Sequence, residues 1–195
     1  MKRQIKLPNS LAKSIEYIKN GDNSVLREIL FKEQKGFCSY TETYLGRTDQ
    51  KDIDHFNPLK DYSERNSYLN LFLCKSQWNK EKSNKWNKFQ PALSPLNTDF
   101  EKRISYNKEL KLFEATDEND NEAMHLVKLL KLDDYDLSVE RRKYIELTME
   151  LIKHYETPEI YFQKVIQGNI SALKFIRSLE KEFEVSIWNI IPEIE

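Results

Sequence analysis

The sequence predicts an α+β chain, mostly helical, in which a two-stranded hairpin and the helix after it are embedded between N-terminal helices and a C-terminal helical bundle. Three observations predict this. Polar and apolar residues alternate through Ile53, His55 and Leu59, and Leu71 to Cys74 form a second short apolar run, the marks of two strands joined by a long loop. Ser76 then opens a helical pattern to about Lys88, with Trp78, Lys82 and Lys85 at helical spacings. Apolar residues in segments 9–36 and 124–183 recur at helical intervals. The chain divides into N-terminal helices at 1–36, a hairpin-and-helix unit at 37–90 and a hairpin plus helical region at 91–195, together one compact unit.

In chain order, residues 9–36 read as two helices. Asn9 or Ser10 caps the first, with Leu11, Ile15 and Ile18 on one face; Asn23 or Ser24 caps the second, with Val25, Ile29 and Leu30 buried and Gly36 closing it. Cys38 and Tyr40 enter the core, and Gly46 to Lys51 makes an exposed turn. Lys60 to Leu69 is a polar loop, and Pro91 to Pro95 turns without regular structure. Arg103 to Tyr106 and Leu110 to Phe113 alternate about Asn107-Lys108 as a hairpin. Glu114 to Glu122 carries five acidic residues and no basic one, the composition of a solvated loop. Beyond it, Met124, Val127 and Leu130 form one stripe, and Ile145, Met149 and Ile152, with Leu147 and Leu151, form another. Thr157 and Pro158 open a helix ended by Gly168, and Ala172, Leu173, Ile176, Leu179 and Phe183 mark a last one. His125 and His154 read as structural or surface residues.

With 195 residues, 39% apolar and 12% aromatic, the chain can bury a sizeable core. Its 31 basic and 32 acidic residues give no overall bias toward nucleic acid, so local charge has to carry any such reading. Two cysteines argue against a disulfide scaffold, and a Cys38–Cys74 bridge is disfavoured. No apolar run reaches the length of a membrane span, and MKRQIKLPNS lacks the apolar stretch of a signal peptide, so no membrane partner and cytoplasmic residence are expected.

The chemistry concentrates in Asp54-His55, Asn70 and Asn79. An imidazole titrates near neutrality and can take a proton from water, while a carboxylate and an amide supply the hard oxygens that Mg²⁺ or Mn²⁺ prefers. Neighbours on a strand point to opposite faces, which lets Asp54 and His55 do different work. With Phe56, Pro58, Leu71 and Lys82 also in place, the segment resembles the ββα-metal finger of HNH endonucleases, here as an HNN variant. The resemblance implies His55 as general base, Asp54 and Asn79 as ligands of one Mg²⁺ or Mn²⁺ ion, and Asn70 as the residue bracing the hairpin loop. The lead-in helix followed by GxCxYxE is similar to the family's usual one. Many relatives hold a structural zinc with two CxxC pairs; the four positions here read Cys38, Thr41, Lys75 and Trp78, so no structural zinc is expected.

Lys75, Lys80, Lys82, Lys85 and Lys88, interleaved with Trp78 and Trp86, offer a surface for the DNA backbone, and Lys60 and Arg65 on the loop can reach a phosphate. The segment LLKLDDYDLSVERRKYIEL resembles the helix pair after the finger in HNH nucleases of the Septu and retron-associated antiphage defence class. That resemblance implies an ABC or SMC-like ATPase partner and, in the retron arrangement, a reverse transcriptase with its nucleic acid. The sequence holds no nucleotide-binding loop of its own. Two functions follow from the residues: a metal-dependent DNA endonuclease, or a catalytically weak adaptor that uses the same finger to hold DNA or a protein.

Overall fold

The computed structural model describes residues 1–194, and its first regular feature is a single 3-10 turn at Leu11–Ser14, where the Ser10 hydroxyl accepts the Ala12 amide. The first predicted helix reduces to that turn. Leu11 and Ile18 are exposed, and a segment with no continuous buried stripe cannot offset the cost of helix nucleation. The second helix, α1 (Ser24–Glu33), buries Leu26 and Leu30, whereas Val25, expected inside, faces out. Gly36 follows with φ +81°, and a Cβ there would stand 2.5 Å from the Tyr44 ring, so no other residue fits that close turn unstrained.

The central unit comprises β1 (Lys51–His55), a short helix α2 (Tyr62–Arg65), β2 (Leu71–Lys75) and α3 (Ser76–Lys85), which runs into a 3-10 turn at Trp86–Lys88. β1 and β2 are antiparallel, with Asp54 opposite Phe72 and His55 opposite Leu71. Leu71 to Cys74 are all buried, which explains the unbroken apolar run. The outer edge of β2 is capped by a side chain: Gln34 accepts the Leu73 amide at 2.8 Å and donates to the Leu73 carbonyl at 2.8 Å. Ser76, read as a helix cap, is the first residue inside α3, and Lys75 holds the cap position without a side-chain bond.

Next come α4 (Phe100–Arg103), the hairpin β3 (Ile104–Asn107) and β4 (Leu112–Ala115), and α5 (Asn121–Leu129). The turn is longer than predicted, because the Asn107 side chain accepts the Glu109 and Leu110 amides and delays the second strand to Leu112. Part of the acidic run is pinned. Arg103 holds Asp120 through two hydrogen bonds and Glu122 through a third, and Asp120 caps α5 by accepting the Ala123 amide.

The C-terminal region is α6 (Tyr135–Ile152), α7 (Pro158–Asn169), α8 (Ile176–Phe183) and α9 (Ile187–Ile190). The buried stripe of α6 runs through Leu137, Arg141, Ile145 and Thr148, while Leu147, Met149 and Leu151, read as core, are exposed. Gly168 lies inside α7, not after it, and Leu173 precedes α8 in an extended segment whose Lys174 bridges Thr43. Among the described residues no helix is long and apolar enough to cross a membrane.

One core cluster runs from Met1 through the hairpin-and-helix unit to Leu132; a second gathers Phe37 with α6 to α9. Two buried arginines tie the C-terminal region to the hairpin. Arg177 donates to the Met1 carbonyl at 2.6 Å and to the Ile104 carbonyl, and Arg141 donates to the Lys111 carbonyl, with both guanidinium groups near the Phe113 ring. Lys6 is partly buried under the central unit, its ammonium 4.4 Å from the centres of the Tyr68 and Phe72 rings and donating to the Leu71 carbonyl.

Burial pushes Lys6 down to about 7, against the opposing pull of Glu33. Between that value and the ordinary 10.5, the unfolded chain holds a proton that the folded chain has released, so this group makes stability rise with pH across the interval. Urea titrations from pH 6 to 10 are expected to show that rise in the wild type and a flatter curve in Lys6→Met.

Candidate functional site

β1 is short, but its alternation separates two environments. Asp52 and Asp54 face α3, and His55 faces away from it toward the N-terminal segment.

On the first side, Asp54 is 2% exposed and both its oxygens are taken. Lys82 of α3 sits 3.0 Å from Oδ1, and the Tyr40 hydroxyl donates to Oδ2. Lys82 is itself buried, and its ammonium also donates to the carbonyls of His55 and Phe56, each at 2.8 Å, so three protons meet three acceptors. Burial raises the Asp54 carboxyl above its usual range, while the ammonium and the tyrosine hydroxyl favour its charged form. Burial, and then the charge of Asp54, raise the Tyr40 phenol as well, so it stays a donor. Two residues back on the same face, Asp52 accepts the Ser76 hydroxyl at 2.7 Å and the Asn79 amide at 3.1 Å. Asn79 therefore meets Asp52, and the residue of α3 that meets Asp54 is Lys82.

On the other side, His55 Nε2 is 2.9 Å from Asn66 Oδ1, and the Tyr17 ring packs edge-on at 4.6 Å between centroids. With the amide oxygen accepting, Nε2 carries the proton and the lone pair of Nδ1 is left for chemistry. Burial lowers the His55 pKa, only partly offset by the Asn66 bond and the charge of Asp54, so the imidazole is neutral at pH 7. Asn70 does not touch the imidazole. Its amide donates to the carbonyls of Asn57 and Arg65 and accepts the Asn57 amide at 2.9 Å, clamping both ends of the loop that carries Asn66.

The predicted phosphate-binding residues are dispersed. Lys82 is withdrawn from that set, because a buried ammonium with all three protons bonded cannot reach a backbone phosphate. Lys80 is exposed and Lys85 partly so, Lys75 pairs with Asp49 at 3.3 Å, and Lys60 pairs with Glu64 at 3.4 Å. Arg65 lies over the Tyr62 ring. At the positions where relatives carry zinc ligands, Cys38 Sγ accepts the Lys75 amide at 3.4 Å, Thr41 shares a hydrogen bond with Thr43, and Trp78 donates to the Leu130 carbonyl at 3.1 Å. Both cysteines are free and buried.

Oxygen donors of the kind a hard divalent ion takes stand on the α3 side, the carboxylates of Asp52 and Asp54 on one face of β1 and the Asn79 amide reaching Asp52 from α3, with the Asp54 oxygens occupied by Lys82 and Tyr40. Among the described residues no group of three or more His, Cys, Asp or Glu side chains is placed to hold a metal. Asp52, Tyr40, Tyr17 and Asn66 carry no sequence reading as site residues. Asp52 has a signal, an acid two residues before Asp54 on one strand; the others come from distant segments and have none.

A hairpin closed by a helix, with acids under the helix and a histidine on the reverse of the same strand, forms a ββα finger. Residues 38–87 match the HNH endonuclease family. No curated protein and no solved structure matches the chain.

Breaking one side of a buried ion pair leaves an uncompensated charge and costs about 3–5 kcal/mol. Lys82→Met is expected to lose roughly that much in urea denaturation, and the Lys82→Met/Asp54→Asn double variant to lose less than the two single changes summed. Asn66→Ala is expected to release the Nε2–H tautomer of His55, read as a change in its ¹⁵N imidazole shifts, with the fold intact.

Proposed function

We propose that the finger hydrolyses phosphodiester bonds in DNA, with Asp54 and Asn79, and Asp52 beside them, holding one Mg²⁺ or Mn²⁺ ion. The observation that supports this best is the division of labour on β1, where a neutral imidazole with a free Nδ1 stands back to back with two carboxylates under α3. His55 takes the proton of the attacking water at Nδ1. Asn66 holds the opposite nitrogen as a donor, and Asn70 keeps the Asn66 loop in place. Lys82 fixes the strand end by gripping the His55 and Phe56 carbonyls, so the imidazole cannot drift. The ion, when bound, supplies the positive charge that phosphate and leaving oxygen require.

The wider role is proposed from resemblance alone. Residues 129–147 support action in antiphage defence beside an ABC or SMC-like ATPase and, in the retron arrangement, with a reverse transcriptase and its nucleic acid. One observation favours the second reading, a weak adaptor: both oxygens of Asp54 are already engaged by Lys82 and Tyr40, so an ion there has to displace protein donors.

Plasmid nicking in Mg²⁺ or Mn²⁺ separates the two. The enzyme reading expects the wild type to nick and His55→Ala to fall by about 10²–10⁴-fold with an unchanged thermal midpoint. Equal nicking by both removes His55 as the base. DNA binding without any cutting by the wild type, even with the natural partner present, favours the adaptor.

A further inference from the structure

His55 lines a cleft of about 250 Å³ that residues outside the matched family segment help to build. One wall is the N-terminal segment, through Tyr17 and Lys19; the other is the hairpin loop, through Pro58, Tyr62 and Arg65. The walls are tied together, since the Tyr62 hydroxyl donates to Glu16 at 3.2 Å. Tyr62 is 60% exposed, with the Arg65 guanidinium 5.6 Å from its ring centre. Past the same tyrosine a second hollow, about 590 Å³, runs between residues 12–16 and 63–69. Tyr62 thus lines two hollows, one of which the imidazole also lines.

This arrangement suits an unpaired strand. A duplex keeps its base faces stacked inside and presents backbone and groove edges, so no base face is free to stack on an exposed ring beside the reacting histidine. Unpaired bases stack on aromatic side chains whatever their identity, and nearby cations take the phosphates. Lys19 and Arg65 are the charged groups lining the cleft, and both are basic.

We propose that the cleft is a track for single-stranded DNA, in which a base stacks on Tyr62 while the adjoining phosphate reaches His55 between Lys19 and Arg65. The proposal rests on the nuclease reading in taking His55 as the reacting end, and it names the substrate class of that site. The N-terminal segment becomes a specificity element, since Tyr17 and Lys19 complete a wall that the finger alone lacks.

The test uses the full chain in EDTA, which prevents metal-dependent cutting, and fluorescence anisotropy with three probes of fifteen positions at one salt concentration: oligo-dT, an abasic phosphodiester strand and a duplex. Oligo-dT is expected to bind about tenfold tighter than the abasic strand, the effect of one stacked base, and tighter than the duplex. Tyr62→Ala is expected to erase the difference between dT and the abasic strand, and Tyr62→Phe, which keeps the ring, to preserve it. Equal binding of dT and abasic strands, tighter binding of the duplex, or an unchanged preference in Tyr62→Ala overturns the proposal. Failure of the nuclease reading shows separately, as absence of cutting on any substrate when metal is restored.

Discussion

The buried ammonium of Lys82 is the contact on which the rest of the finger depends. Removing a cation from water is expensive, and the cost is met only when each of its protons finds a partner in fixed geometry. Asp54 and the carbonyls of His55 and Phe56 supply those partners, so one side chain joins α3 to the last turn of β1 and to the chain just beyond it. Moving the helix would strand a charge on each element. The pair therefore adds less to net stability than to the uniqueness of the arrangement, holding the backbone that bears His55 while the imidazole projects from the other face.

Around this contact, Cys38 and Trp78 tie the finger together through hydrogen bonds and packing. The Cys38 sulfur accepts a backbone amide from Lys75, and Trp78 reaches across to the Leu130 carbonyl, linking the finger to the end of α5. The turn containing Cys38 is also anchored from outside. Glu42 accepts the amides of Lys2 and Arg177, and Tyr40 closes on Asp54. These contacts tie the finger to the N-terminus and to α8. That is consistent with a core cluster that runs without a break from Met1 through the finger to Leu132.

The two faces of β1 meet opposite demands. Under α3 the side chains are acidic, buried or helix-covered and heavily bonded; on the reverse, the imidazole is half-buried, keeps one nitrogen free and opens onto aromatic and basic groups. In the proposed reaction a base needs access to water and substrate, whereas carboxylates held near cationic groups gain from enclosure. A strand supplies both from adjacent residues at no cost in chain length. Asn70 makes the separation durable by fixing the loop between the strands at both ends.

The hairpin, its helix and the mostly helical remainder were legible because they are local patterns: period-two alternation in β1, an apolar run in β2 and helical stripes beyond. Asp54 and His55 were legible for the same reason, as neighbours on one strand. The N-terminal helix is reduced to a turn because Leu11, Ile15 and Ile18 have the spacing of a helix but only Ile15 meets the core, and spacing does not reveal what lies opposite. Which residue of α3 would meet Asp54 depended on how the helix was rotated over the strand, and that is a tertiary decision: packing turned Lys82 inward and carried Asn79 to Asp52. The partners of His55 were likewise out of reach, since Tyr17 lies 38 positions away and Asn66 sits in an irregular loop. Sequence by itself determined which chemistry is present and on which strand it stands; only the packed chain decided which groups neutralise, orient or expose it, because burial and charge pairing are properties of neighbours in space.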